Sequence, residues 1–390
     1  GKNLQEFVDE MSAKFRAMKD ILNLSWDDFI RTSDKERHWP GAQKIWNEMR
    51  QTIGDIYKKN YRGIYCVGHE SFITEKDLVA GKCQDHQTEP EVIAEENYFF
   101  KLSKYGDLIS RRLGVAHSRG DFPFLDDKDI FKIFPHSREN EILSLINSGL
   151  EDISFSRPAK GLSWGIPVPN DPEHTMYVWC DALSNYITAV GYGRDEQLFE
   201  QWWPADMHVI GKDILRFHAA IWPGMLLSAG LPLPKTIFVH GFITVNGQKM
   251  SKTVGNVIDP FELVEKYGTD AVRYYLLREI PSDEDGDFSY EKFEARYNGD
   301  LANGLGNLVA RVAALGERVS PIPIPSDYVQ ERTISHIRRV EERHAKFIEE
   351  FRLHWALMQI WELISYGDVY INREEPWAKE EAVLRRAMGH

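Results

Sequence analysis

Positive charge is scarce in this 390-residue chain: 47 lysines and arginines stand against 60 aspartates and glutamates, a formal net charge of −13. That balance excludes a protein that coats nucleic acid with a basic surface, so any RNA contact must be local and built from a few aimed groups. Cysteine is nearly absent too. The three present, Cys66, Cys83 and Cys180, are too few for a disulfide framework and suit a reducing compartment. Long apolar runs are missing: the best, "AAIWPGMLLSAGLPLP", is broken by proline and glycine and falls short of the ~18 residues of a membrane span. Residues 1–22 are charged and amphipathic, unlike a secretory or transit leader. No internal repeat and no low-complexity tract is found. These features point to the cytoplasm with no membrane partner, leave an organellar matrix open, and say nothing of oligomeric state.

What is present is ordinary for a folded chain, 43% apolar and 27% charged residues. The length exceeds the ~250–300 residues at which one core stops growing, so at least two packed units are expected. Leu4, Phe7, Val8, Met11, Phe15, Met18 and Leu22 recur at helical spacing and predict an amphipathic surface helix. From residue 54 to about 170 the texture changes to short strand-like runs such as "GIYCV", with a charged helical stretch, "PEVIAEENYFFKLSKYGDLISRRL", among them; this reads as an inserted module. Residues 175–215 alternate strand ("TMYVWC"), helix ("DALSNYITAVGYG"), strand ("MHVIG") and helix ("KDILRFHAAIW"), as in a parallel sheet with crossover helices. Another strand, "TIFVHGFITV", follows. After residue 258 the pattern is helical, interrupted at "SPIPIPSD", which favours a stiff extended connector. Phe347, Phe351, Trp355, Met358 and Ile364 then keep a helical period, so residues from about 295 onward read as a helix bundle.

Two lysines three apart, Lys249 and Lys252, lie in "GQKMSKTVGN" after the apolar strand. On a glycine-bounded, serine-containing loop they form a mobile pair of point charges able to balance a polyphosphate during nucleotidyl transfer. A bare K-x-x-K is more often a solvated surface loop, and it is the surrounding sequence that carries the argument further. With the strand-to-helix turn "HVIGKD" upstream, this loop resembles the Lys-Met-Ser-Lys-Ser signature of class I aminoacyl-tRNA synthetases, Thr253 keeping the last hydroxyl. "MYVWCDALSNYITAVGYG" and "HVIGKDILRFHAAIWPGMLLSAGLPLP" narrow the resemblance to the methionyl-tRNA synthetases, over residues 1 to about 385.

The resemblance implies an α/β fold, with a partial Rossmann-type parallel sheet, an inserted zinc-knuckle connective module and a following all-α helix bundle. It divides the chain into 1–53, the helical part of the nucleotide-binding domain; 54–170, the connective module; 171–248, the second half of the Rossmann domain; 249–294, the lysine loop and stem-contact region; and 295–390, the anticodon-binding domain. It implies ligation of methionine to methionine tRNA through methionyl-adenylate, with ATP and Mg²⁺. The methionine pocket falls on Trp179, Ala182, Leu183, Tyr186, Ile214 and His218, with Arg157 near its amino-acid end. Ile214 and His218, four apart, share a helical face, and a polarizable thioether suits aromatic walls; taken singly, Trp179, Tyr186 and Ile214 are each more often core than ligand. A neutral His218 near the sulfur would reject isosteric amino acids that lack an acceptor. Gly211 and Asp213 match the ribose-binding turn, and Lys249, Ser251 and Lys252 match the triphosphate loop.

Cys66, His69, Cys83 and His86 form two C-x-x-H pairs in the inserted module, a set that suits tetrahedral Zn²⁺. The family often has C-x-x-C first, and His69 departs from that pattern. Asn307 and Arg311, four apart, and Trp377 behind Pro376 match the family's anticodon readers, an indole for stacking and polar groups for base edges; Asp368 stands where the family commonly has asparagine. The His-Ile-Gly-His signature is not found, and His208-Val209-Ile210-Gly211 is a decoy for it. The chain therefore reads as an internal piece that lacks the signature's segment and the end of the anticodon bundle. Two other readings stay open: a non-catalytic tRNA-binding fragment, and a sister class I synthetase for a branched apolar amino acid.

Overall fold

A computed structural model of the protein describes residues 3–378 apart from 53, 69–70, 74, 85–86, 115–129, 161–163, 251–254 and 319–330. The backbone divides into two compact units, Asp27–Val239 and Gly1–Trp26 with His240–His390. That boundary cuts across the 1–53 segment delineated from sequence, because the helix Leu4–Ile21 packs its last turn, through Met18, Ile21 and Leu22, on the second unit's core.

In the Asp27–Val239 unit, strands Ile56–Cys66 and Glu91–Phe100 pair antiparallel from Ile56↔Phe100 to Tyr65↔Glu91. The stretch expected to be helical from residue 90 is therefore a strand to Phe100, with a helix only at Gly106–Arg112. Charge suggested a helix there, but Val92, Ile93 and the aromatics Tyr98, Phe99 and Phe100 favour extended backbone, and a ten-position ladder overrides local helical preference. "TMYVWC" likewise splits. Its first residues end the strand Asp171–Met176, which is antiparallel to both Ser156–Pro158 and Pro167–Val168, and Val178 already opens a helix. The parallel sheet is carried instead by His208–Gly211, Thr236–His240 and Lys132–Phe134, in which the last two pair parallel.

One large apolar cluster fills this unit, with Trp46 and Trp222 wholly buried, Trp46 edge-on to Tyr98 at 5.7 Å and stacked on Phe155 at 6.5 Å. At the root of the inserted module Asp55 is fully buried, and its carboxylate accepts from Lys104 Nζ at 2.7 Å, from Ser228 Oγ at 2.7 Å and from the Tyr105 hydroxyl. A buried carboxylate is tolerated only when so satisfied, and this one ties the strand root to the end of the helix Trp222–Ser228.

The second unit is mainly helical: Pro260–Tyr267, Thr269–Arg278, Tyr290–Arg296, Asn307–Gly316, Glu331–Glu349 and Leu353–Glu374. Gly268 separates the first two helices at φ +85°, a left-handed value that glycine adopts without strain. A small sheet, Ile243–Val245 parallel to Gly286–Phe288 and antiparallel to Gln248–Lys249, carries the lysine hairpin. The expected proline-rich connector lies outside the described residues. Among those described, no helix is long and apolar enough to cross a membrane.

Candidate functional site

The helix Val178–Thr188 is pinned at both ends by one side chain that sequence reading did not single out. His38 is fully buried; its Nε2 lies 2.7 Å from Asp181 Oδ1 and its Nδ1 lies 2.8 Å from Thr188 Oγ1. Nothing local in "DKERHWP" marks it, since its partners are more than 140 positions away. Asp181 sits in the helix's first turn, where a carboxylate also favours the positive end of the helix dipole.

Opposite stands the segment after the strand His208–Gly211. A 3₁₀ turn, Lys212–Ile214, runs into a π-helical turn, Phe217–Ile221, and then into the helix Trp222–Ser228. Pro223 has no N–H for the Ala219 carbonyl and crowds it, and the turn widens so that Trp222 N–H bonds the Phe217 carbonyl five residues back. His218 sits inside this widened turn and is 2% exposed. Its Nδ1 is 3.0 Å from the Ile214 carbonyl, and its Nε2 is 2.8 Å from the Tyr186 hydroxyl. A carbonyl only accepts, so Nδ1 carries the proton; the neutral ring then accepts at Nε2, and Tyr186 donates. Burial pushes the His218 ring toward neutrality and pushes the Tyr186 phenol up to about 12, so both stay uncharged at neutral pH.

Trp179 faces the same turn. It stacks on Phe217 at 3.9 Å and 12°, and meets the His218 ring edge-on at 6.1 Å. Trp179, Tyr186 and His218 are therefore assembled together. Leu183 is a core residue at 1% exposure, and Ala182 and Ile214 are half-buried. What Ile214 supplies to His218 is its carbonyl, a backbone role that side-chain spacing does not reveal. Both nitrogens of the His218 ring are bonded within the protein, to the Ile214 carbonyl and the Tyr186 hydroxyl. Gly211 ends the strand and Asp213 is exposed on the 3₁₀ turn. Arg157, on the strand Ser156–Pro158, donates to Glu95 at 2.6 Å and lies over the Tyr65 ring at 4.2 Å.

His208, which opens the decoy of the His-Ile-Gly-His signature, lies in this cluster. Its ring is 4.1 Å from the ring of Tyr186, and its Nε2 accepts from the Trp222 indole N–H at 3.2 Å. Burial, then the neighbouring His218, lower its pKa to about 3.

In the second unit Lys249 lies over the Phe242 ring at 4.7 Å, and its carbonyl accepts from Asn256 at 3.3 Å. Gly247, at φ +73°, gives its N–H to Asp287 at 2.7 Å and turns the hairpin. Ser251 and Lys252 lie outside the described residues. Arg311 spreads its guanidinium between Asp368 at 2.7 Å and Asn372 at 2.7 Å, 5.5 Å from the Trp377 ring. Asn307 is exposed at the start of the same helix, and Trp377 is 46% exposed beside buried Pro376. Cys66 and Cys83 are fully buried in one small cluster with Ile73, and neither is in a disulfide. His69 and His86 lie outside the described residues, and among those described no group of three or more His, Cys, Asp or Glu could hold a metal.

The family model described as "tRNA synthetases class I (M)" matches residues 1–89 and 75–313. A methionine–tRNA ligase of Thermotoga maritima is 43% identical over 385 residues, 97% of this chain and 58% of that protein. One from Brucella suis is 44% identical over 384 residues, 96% of this chain and 71% of that protein. The chain thus spans a little under three fifths of the length of relatives such as the first. A structure of Mycobacterium tuberculosis methionyl-tRNA synthetase in complex with methionyl-adenylate superposes with a TM-score of 0.87 at 38% identity, covering 100% of this chain and 76% of the other.

Burial of His208 and His218 makes stability depend on acid. Both are depressed below the ordinary histidine value, His208 to about 3. The unfolded chain takes up protons from about pH 6.5 downward while the folded rings do not, so stability is full above 6.5 and falls toward 3, by at most about 1.4 kcal/mol per pH unit per ring. Urea unfolding at pH 7.5, 6 and 5 should show the decline, and His208→Gln should make it shallower. A stability unchanged from pH 7.5 to 5 would contradict this.

Proposed function

The chain belongs to the methionine branch of the class I tRNA synthetases, and from that premise we propose that it works as a methionine–tRNA ligase, activating methionine with ATP to methionyl-adenylate and passing it to methionine tRNA. The observation that carries this reading is the Trp179–Tyr186–His218 assembly, in which Trp179 meets the His218 ring edge-on and the Tyr186 hydroxyl is bonded to His218 Nε2. The M. tuberculosis relative that superposes on this chain holds methionyl-adenylate.

In this reading the thioether of methionine rests against Trp179 and the Tyr186 ring, where polarizable sulfur gains from aromatic contact. Ala182 leaves room beside them, while Leu183 and Ile214 back the wall. Arg157 lies toward the methionine carboxylate, and Gly211 and Asp213 receive the ATP ribose, the carboxylate accepting its hydroxyls. Lys249, Ser251 and Lys252 would hold the ATP triphosphate, the lysines offsetting the charge that develops as the methionine carboxylate attacks the α-phosphorus and pyrophosphate leaves, and Mg²⁺ would be held by the phosphates and supply further positive charge there. A tRNA terminal hydroxyl then attacks the mixed anhydride. No covalent enzyme intermediate is called for, so catalysis is positioning and electrostatics.

Asn307, Arg311 and Trp377 read the anticodon in the helical region from about residue 295, Trp377 by stacking and Arg311 and Asn307 by hydrogen bonds to base edges. Pairing with Asp368 orients Arg311 and tempers its charge, which favours a base edge over a phosphate as its partner. In this reading residues 54–170 hold the connective module, although their strand Lys132–Phe134 joins the parallel sheet, 171–248 the second half of the nucleotide-binding domain, and 249–294 the loop and stem-contact region. A zinc ion fits the module chemically. Among the described residues Cys66 and Cys83 share a small buried cluster with Ile73, separate from the large core, and so thin a local core commonly relies on a metal staple. Cys66 and Cys83 would hold it with His69 and His86, and it would supply folding energy rather than chemistry.

Thermal shift with amino acids tests the reading. Methionine at about 100 times its dissociation constant adds about 2.7 kcal/mol and raises Tm, whereas leucine should leave it unchanged. A leucine shift equal to that of methionine would favour a sister synthetase, and no shift with methionine would overturn the assignment. Metal analysis of protein purified without chelator should find about one zinc per chain; zinc-free protein of unchanged stability would remove the knuckle.

A further inference from the structure

His208 is 3% exposed, lies on the strand that enters the site, and opens the "HVIGKD" stretch without having been given a role in it. Its ring covers the ring of Tyr186, with centroids 4.1 Å apart and planes inclined by 35°. Trp222, wholly buried, donates its indole N–H to His208 Nε2 at 3.2 Å, and Trp203 lies 6.0 Å away on another side. An indole nitrogen can only donate, so Nε2 must be unprotonated and the neutral ring carries its proton on Nδ1. A protonated ring would set N–H against N–H in a buried space. A phenylalanine would fill the same volume and leave the Trp222 donor unpaired. Histidine is the residue that both covers Tyr186 and accepts from Trp222.

We infer that His208 is a specificity-positioning residue, which holds the Tyr186 ring where its hydroxyl is committed to His218 and its face is set against the ligand's side chain. The inference rests on the methionine reading above. With its hydrogen spent on His218, Tyr186 offers a ligand only a fixed ring and oxygen lone pairs. Discrimination between a thioether sulfur and a methylene of similar size then depends on the ring's distance, because the sulfur–aromatic gain decays steeply with separation. A ring free to tilt accepts both. His208 is what prevents the tilt, and it touches no ligand atom to do so.

Calorimetric titration of this chain with methionine and with norleucine tests the claim. Norleucine replaces the sulfur by a methylene, so the ratio of the two dissociation constants reports on sulfur recognition alone. In His208→Gln the amide oxygen can still accept from Trp222 but the ring plane is gone. The ratio should fall about tenfold toward unity, with the norleucine constant changed less than about twofold. In His208→Phe the plane remains and the acceptor is lost, so the ratio should hold while Tm drops. A wild-type ratio in His208→Gln, or equal weakening of both ligands, would overturn the inference and leave the methionine reading standing. A wild-type chain that binds the two alike would overturn the methionine reading and this inference with it.

Discussion

The hydrogen bond from the Tyr186 phenol to Nε2 of His218 orders the site around it. It exists in that direction because the other imidazole nitrogen is claimed by the Ile214 carbonyl, and it is Pro223 that opens the turn in which this occurs. Local backbone chemistry thus reaches a side-chain hydroxyl on a different helix and decides which of its hydrogen-bonding capacities remains. Burial reinforces the choice, since both groups lose far more by ionising there than in water. Aromatic rings surround the pair: His208 and Trp222 lie against Tyr186, and Trp179, stacked on Phe217, meets His218 edge-on.

Much of this was legible in the sequence. The strand His208–Gly211 and the helix that opens near Asp181 follow from patterning, and the gathering of Trp179, Tyr186 and His218 from the family resemblance. The π turn does not, because i, i+4 spacing presumes an α-helix and the widening is a response to Pro223 and to tertiary packing. His38 was invisible for a different reason: one histidine gains its meaning from partners on a distant helix, and single-sequence patterning carries no such pairing. Glu91–Phe100 was misread as helix because its charges at helical intervals outweighed the β-branched and aromatic residues, whereas in the fold a long antiparallel ladder decides the matter. His208 was dismissed through resemblance to a signature it does not form, although an aromatic-rich run so close behind it was a usable signal.

Polar groups elsewhere are handled by the same economy of engagement. Arg311 is shared between a carboxylate and an amide, and Arg157 is held by Glu95. In the proposed function such groups meet ligands already oriented, which suits a chain of net charge −13 that must recognise RNA without a basic coat. Preorganisation of this kind spends stability on fixed geometry, and the fully satisfied Asp55 shows the cost being met where the inserted module joins the sheet.

Neutron diffraction from a deuterium-exchanged crystal tests the central claim most directly. The account predicts deuterium on Nδ1 of His218, none on Nε2, and the Tyr186 deuterium directed at Nε2. Deuterium found on Nε2, with the Tyr186 hydroxyl turned elsewhere, would contradict it.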